Sequence, residues 1–392
     1  MLTSLALIFL CGMLLGSIFK KVGLPSLLGM LLTGIVLGPH MLNVLDASIQ
    51  LVSADLRQLA LIVILTRAGL SLDVNDLKKV GRPAFLMCFV PACFEIVGMM
   101  LLAPALLHIS VAEAAIMGAV VAAVSPAVVV PKMLYLAQNG YGTNKAIPQM
   151  IMAGASVDDV FVIVIFAAAV GFVQGEGVSA ASILQIPISI ALGILAGAAL
   201  GIVLCLLFKK VHMRDSTKVV ILLSVSCLLV AAEQYSPVPF SGLLAVMGAG
   251  ITIQQKNTAV AMRLSAKYSK LWVAAEVMLF VLVGATVNLQ YAVSAGFAAV
   301  LVTLGALVFR MLGVLACMVK TKLLAKERIF CMIAYMPKAT VQAAIGSLPL
   351  ALGLSCGNIV LTVAVLAILI TAPLGALGVD LSYKKLLHQQ KQ

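Results

Sequence analysis

Residues 146–173 read AIPQMIMAGASVDDVFVIVIFAAAVGFV, an apolar run long enough to cross a bilayer as one helix, with two adjacent carboxylates, Asp158 and Asp159, near its middle. An ionisable side chain at that depth costs about 2.5–3.5 kcal/mol on insertion scales. Two in succession imply a use. If both acids face one small cavity, mutual repulsion opposes two full negative charges, and a proton or a monovalent cation neutralises the pair. Competition between those two ligands is the simplest form of exchange, so the run predicts a cation or proton site inside a membrane.

The rest of the chain supplies that membrane setting. Of 392 residues, 63% are hydrophobic and only 10% charged, and the mean hydropathy is +1.17, which identifies an integral membrane protein. Thirteen apolar runs are each long enough for a crossing, at roughly 2–19, 23–40, 53–72, 82–107, 112–134, 146–173, 183–208, 219–235, 238–254, 270–287, 292–319, 329–352 and 357–378. No stretch remains for a soluble domain. All Lys and Arg residues except Arg57, Arg67, Arg310 and Lys338 follow odd-numbered runs, so the positive-inside rule places the N-terminus outside and the C-terminus in the cytoplasm. The formal charge of +12 is therefore mostly a topology signal. It offers no soluble basic face for nucleic acid. The first run has no basic residues ahead of it and Lys20 and Lys21 after it, the pattern of a retained helix rather than a cleaved signal peptide. The eight cysteines lie in or beside apolar runs without paired spacing, which predicts packing thiols and neither a disulfide framework nor a zinc site. Short loops and the lack of a eukaryotic tail predict a bacterial inner membrane.

Landmarks recur along the chain at a nearly constant offset. Pro25 and Gly34 are echoed by Pro239 and Gly248, Gly69 before Asp73 by Gly284 before Asn288, and Glu95 by Arg310. The matching predicts a six-span repeat over residues 1–180, a linker span over 181–215 and a second repeat over 216–392 that is inverted in the membrane relative to the first.

Two runs carry helix breakers at corresponding places. Residues 122–134 read AAVSPAVVVPKML, with Pro126 and Pro131, and residues 334–347 read AYMPKATVQAAIGS, with Pro337. Proline removes a backbone donor and clashes with the preceding turn, and interrupted helices persist at membrane depth only when buried in protein or lining a cavity. Simple proline kinks are the alternative to true breaks. If the helices break, Ser125, Thr340 and Gln342 become candidates for satisfying freed backbone groups or lining a site. Lys338 would offset the negative ends of half-helices meeting there, or pair with Asp158 and release its proton on cation entry. Glu95 and Arg310 occupy equivalent places in the two halves and predict a buried salt bridge, with a part in proton coupling as the alternative. Glu276 has no partner that the sequence identifies. Gly193, Gly197 and Gly201 predict close helix packing within the subunit, while Gly12 and Gly16 leave a dimer contact open.

SVDD at 156–159, SPAVVVP at 125–131, PKATVQAAIG at 337–346 and the pair Glu95 and Arg310 together resemble the NHA-type sodium/proton antiporters, in the two-aspartate branch of the monovalent cation/proton antiporters. The resemblance runs through nearly all of the chain. It implies an all-α fold of thirteen transmembrane helices with two crossed broken helices, a six-helix core domain and a separate dimerisation domain, each assembled from both repeats. It also implies a homodimer that moves Na⁺ or Li⁺ against H⁺ without a cofactor. Carried over by position, Asp159 is the principal carboxylate with Asp158 beside it, Ser156 contributes an oxygen, and Lys338 is the lysine of the second broken helix. Electrogenic relatives hold a lysine at the position occupied here by Arg310. Arginine does not release its proton at useful pH, so one or two protons per cation remain alternatives.

Other classes fit less well. An intramembrane aspartyl protease needs two acids converging on one water, whereas adjacent helical residues diverge by about 100°. The chain is therefore not read as an enzyme. A sodium-coupled solute symporter on a related inverted-repeat fold would need a larger cavity between the broken helices, and a channel or sensor has no distinguishing feature in its favour.

Overall fold

The computed structural model describes residues 1–72, 81–173, 180–236 and 240–390, without the side chains of residues 156, 160, 180–187, 190, 234 and 289–295. Its elements are α1 (Leu2–Lys21), α2 (Ser26–Leu37), α3 (Ala47–Leu51), α4 (Ser53–Ser71), α5 (Arg82–Met87), α6 (Val90–Leu107), α7 (Val111–Val121), α8 (Pro126–Gln138), α9 (Ile147–Gly171), α10 (Ala180–Lys210), α11 (Asp215–Tyr235), α12 (Gly242–Lys256), α13 (Thr258–Ala285), α14 (Leu289–Cys317), α15 (Ala325–Ala334), α16 (Thr340–Ile345), α17 (Leu348–Ala351) and α18 (Gly357–Leu386). The described residues are helical apart from turns and one isolated antiparallel bridge between Tyr141 and Gln389. Nine helical stretches among them are long and apolar enough to cross a membrane. The remaining apolar runs also coil, as α2, α4, α12 and the pair α15 and α16. Asp73 and Pro239, two of the landmarks named above, lie outside the described residues.

The chain forms two compact units. One comprises Met1–Ala54, Asp76–Val173 and Leu279–Gln392, the other Asp55–Asn75 and Gln174–Met278. In the first unit, α6 packs along α14. Gly98 of α6 leaves room for the Phe309 ring, and Gly313 of α14 leaves room for Pro91 and Phe94. That contact puts Glu95 opposite Arg310. A core of Met87, Val124, Met133, Ile151, Phe330 and Tyr335 fixes the interrupted helices against α9. Gly16 of α1 packs against Ser26 and Met30 of α2, so the glycine whose role the sequence leaves open serves a contact inside the subunit. In the second unit, Gly193, Gly197 and Gly201 of α10 lie against Ser241, Ala245 and Thr252 on and beside α12.

Close crossings of a glycine against a helix backbone occur in both units. Gly34 of α2 meets the backbone of Val281 and Ala285 in the first, and Gly69 of α4 meets the backbone of Met247 and Gly250 in the second. A side chain at either glycine would force the helices apart.

The interruptions sit where proline chemistry puts them. The Pro126 ring would strike the carbonyl of Ala122, four residues back, and α7 ends at Val121 with Ala122 as its C-cap. Ser125, the residue before the proline, is extended at φ −86° and ψ 109°. Pro337 acts likewise on Ile333, and α15 ends at Ala334. Pro131 does not break its helix. It lies inside α8, so of the two prolines in that run only Pro126 interrupts it.

Candidate functional site

Two broken helices buried in one place release backbone groups that must find partners without water. Here they find each other and a set of charged side chains. The N–H of Ser125 donates to the carbonyl of Pro337 at 2.7 Å, so the two interruptions touch directly. At the end of α7, the Val121 carbonyl accepts from Lys338 Nζ at 2.7 Å and from Gln342 Nε2 at 3.0 Å. Gln342 Nε2 also reaches the Ala123 carbonyl at 2.9 Å, while Arg310 Nη1 donates to that of Ala122. The end of α15 is served by Arg310 Nε, which donates to the Tyr335 carbonyl at 2.9 Å. Of the freed donors, Val124 N–H goes to Asp158 Oδ2 at 2.8 Å and Lys338 N–H to Thr371 Oγ1 at 3.0 Å.

The charges form one chain. Lys338 Nζ lies 2.7 Å from each Glu95 oxygen. Glu95 Oε2 accepts from Arg310 Nη1 at 2.9 Å, and Arg310 Nη2 donates to Asp158 Oδ2 at 2.8 Å. The Arg310 guanidinium also lies 5.4 Å from the centre of the Tyr335 ring. All four charged side chains are fully buried. A planar guanidinium presents five donors in a fixed fork, which lets one side chain hold two carboxylates and two carbonyls. An ammonium could not span them.

Asp159 stands apart from this chain. It keeps 7% of its surface exposed where Asp158 keeps none, and among the described residues it forms no ion pair. Among the described residues its Oδ1 has no hydrogen-bond partner, and neither have Asp158 Oδ1, Ser125 Oγ, Thr340 Oγ1 and Gln342 Oε1. The two carbonyls that engage the Gln342 amide nitrogen fix which end of that amide is oxygen. Buried oxygens without donors suit a hard monovalent cation or a proton far better than an empty core.

The structure thus gathers Asp158, Ser125, Gln342, Lys338, Glu95 and Arg310 into one network, with Thr340 opening α16 beyond it and Asp159 next in sequence to Asp158. Ser156 is one of the residues whose side chain is not described. Lys338 engages Glu95 and not Asp158, whose cation is Arg310. Glu276, for which the sequence identifies no partner, is attracted by Arg67 within the second unit. Two contributors escape sequence reasoning, Tyr335 and Thr371. Each acts through a group that only the crossing gives a partner, a main-chain carbonyl in one case and a hydroxyl on an otherwise apolar helix in the other.

Residues 5–380 match the family model described as sodium/hydrogen exchanger, transmembrane. The chain belongs to that family. The exchanger is 33% identical over 417 aligned residues to sodium/hydrogen exchanger 9B2 of Homo sapiens, an alignment covering all of this chain and 76% of the relative. It is 32% identical over 374 residues to sodium/hydrogen exchanger 9B1 of Homo sapiens, covering 93% of this chain and 73% of that one. Among solved structures, the sodium proton antiporter MjNhaP1 from Methanocaldococcus jannaschii at pH 8 aligns over 98% of both chains with a TM-score of 0.85 at 18% identity. The exchanger therefore has the antiporter fold. It is an integral membrane protein of the NHA type, as the motifs around Asp158, Pro126 and Pro337 imply.

Proposed function

We propose that this exchanger moves one Na⁺ or Li⁺ against one H⁺ by alternating access, with proton and cation competing for Asp159. The observation that carries this reading is the separation of roles within the acidic doublet. Asp158 is held by Arg310 and by Val124 N–H, whereas Asp159 has no cation of its own among the described residues and retains some exposure. Glu95 and Asp158 carry two negative charges, and Arg310 and Lys338 two positive ones. That sum is zero. Ionised Asp159 leaves a single uncompensated charge, which one proton or one monovalent cation balances. The carbonyls at the broken end of α7 already accept from Lys338, Arg310 and Gln342, so a bound cation would draw on side-chain oxygens instead. Asp159 supplies the charge; Asp158 Oδ1, Ser125, Ser156, Thr340 and Gln342 are the further oxygens we assign to it.

We read the architecture as thirteen crossings in two inverted six-span repeats, 1–180 and 216–392, joined by the linker span 181–215. The paired close crossings, Gly34 on Val281 and Gly69 on Met247, support it, since an inverted repeat turns a contact between the second and tenth spans into one between the ninth and third. The N-terminus is placed outside and the C-terminus in the cytoplasm by the distribution of Lys and Arg. We place the protein as a homodimer in a bacterial inner membrane, on the resemblance and the short loops. No cofactor and no covalent chemistry enter this scheme.

Proteoliposomes carrying a pH gradient and a pH-sensitive dye test it. Na⁺ or Li⁺ added outside should discharge the gradient at a rate independent of a clamped membrane voltage. A gradient insensitive to both cations would remove the assignment, and a voltage-dependent rate would remove the one-for-one stoichiometry.

A further inference from the structure

The network described above is held from behind by a helix that carries no charge into it. α18 presents Thr371 and, one turn later on the same face, Gly375 to the second interruption. Thr371 Oγ1 accepts the N–H of Lys338 at 3.0 Å and donates its own proton to the Ala367 carbonyl at 2.7 Å. Thr371 is fully buried, so no water competes for that N–H. Gly375 leaves its Cβ space to the Pro337 ring, which rests on the helix backbone there. The two contacts grip consecutive residues, the ring of one and the main-chain nitrogen of the next. From that nitrogen the Lys338 side chain extends to Glu95 and to the Val121 carbonyl.

We infer that Thr371 and Gly375 are positioning residues for the exchange reaction, a ledge on α18 that fixes where the Lys338 ammonium sits. The inference rests on the reading of Asp159 as the exchanging carboxylate. A hydroxyl is needed because the freed N–H requires an acceptor while the hydroxyl proton is spent on Ala367. Valine has the shape of threonine and no acceptor; serine keeps the acceptor. A methyl at Gly375 would push against a rigid ring and displace the same segment. A displaced Lys338 leaves Glu95 drawing harder on Arg310, loosens the hold of Arg310 on Asp158, and so changes the charge that a cation at Asp159 meets.

Full-length variants in proteoliposomes test the ledge by the split between KM for Na⁺ and the maximal rate. Thr371→Val should raise KM about tenfold, the factor equivalent to about 1.4 kcal/mol, and Gly375→Ala should move it in the same direction. Thr371→Ser should restore KM to near that of the parent. An unchanged KM in Thr371→Val, or a serine variant as impaired as the valine one, overturns the inference. Should the valine variant fail to fold, Thr371→Ala gives the same reading, and failure of both assigns Thr371 to folding and also overturns it. Asp159→Asn in the same vesicles separates the two levels. Normal exchange in that variant defeats the carboxylate assignment, whereas an inactive Asp159→Asn beside a normal Thr371→Val defeats the ledge alone.

Discussion

The two interrupted helices have the same cause and opposite treatment. In the run from Val111 to Gln138, the end of α7 exposes the carbonyls of Val121, Ala122 and Ala123, and every donor that answers them comes from elsewhere in the chain, from Lys338, Arg310 and Gln342. The run from Ala325 to Ala351 supplies two of those three donors itself and is in turn held by Thr371 and Gly375 of α18. One break is a receiver of charge and the other a carrier. A proline decides where a helix stops; what surrounds the stop decides whether it becomes a wall or a working part.

Arg310 is the residue on which both breaks depend, so its removal should have the largest effect. Arg310→Met leaves Glu95 and Asp158 with one fewer cation and two carbonyls without donors. Breaking a buried pair from one side costs about 3–5 kcal/mol. The variant should melt far below the parent in detergent, and a melting temperature within a few degrees of the parent would show that the chain of charges is not what holds the breaks together.

Glu95→Gln comes next. The amide keeps the shape and an acceptor for Arg310 but leaves Lys338 without a counter-charge, so thermal stability or yield should fall while the preference between Na⁺ and Li⁺ stays. A changed preference at normal stability would move Glu95 from support into the coupling machinery. Gln342→Leu should cost less stability, about 1–3 kcal/mol for carbonyls left short of a donor in the interior, and should also weaken Na⁺ binding by removing one of the oxygens assigned to the cation. Lys338 still reaches Val121 in that variant, and a loss as large as that of Arg310→Met would make the amide the main cap.

The smallest effect belongs to the margin of the same helices. Lys132 of α8 pairs with Asp380 of α18 at 2.5 Å, but Asp380 is about half exposed. Exposed pairs are worth about 0–1 kcal/mol, so Lys132→Ala should leave melting and transport close to the parent. A marked loss of transport there would show that the outer end of the receiving break also positions the site.

Much of this contrast is legible in the chain before it folds. Proline acts through its own ring and the carbonyl four residues back, so Pro126 and Pro337 mark their breaks locally, and acids or bases inside apolar runs draw attention through cost alone. The pairing is less legible. Two cations and three acids allow several matchings, and only the crossing decides that Lys338 takes Glu95 while Arg310 reaches both Glu95 and Asp158. Pro131 is not told apart from Pro126 by the sequence, for a related reason. It breaks no helix because α8 already starts at Pro126 and tolerates one missing donor within its length. Tyr335 and Thr371 are silent, since a main-chain carbonyl has no residue signature and a threonine among apolar residues resembles any other helix threonine.

On the proposed exchange, Asp158 is held and Asp159 trades its proton for a cation. This division of labour is tested most directly by Na⁺-driven proton movement in proteoliposomes containing Asp159→Asn, with folding checked by thermal melting. That variant should melt near the parent and move no protons in response to Na⁺ or Li⁺. Exchange at the parental rate and pH dependence in a folded Asp159→Asn variant would contradict that division.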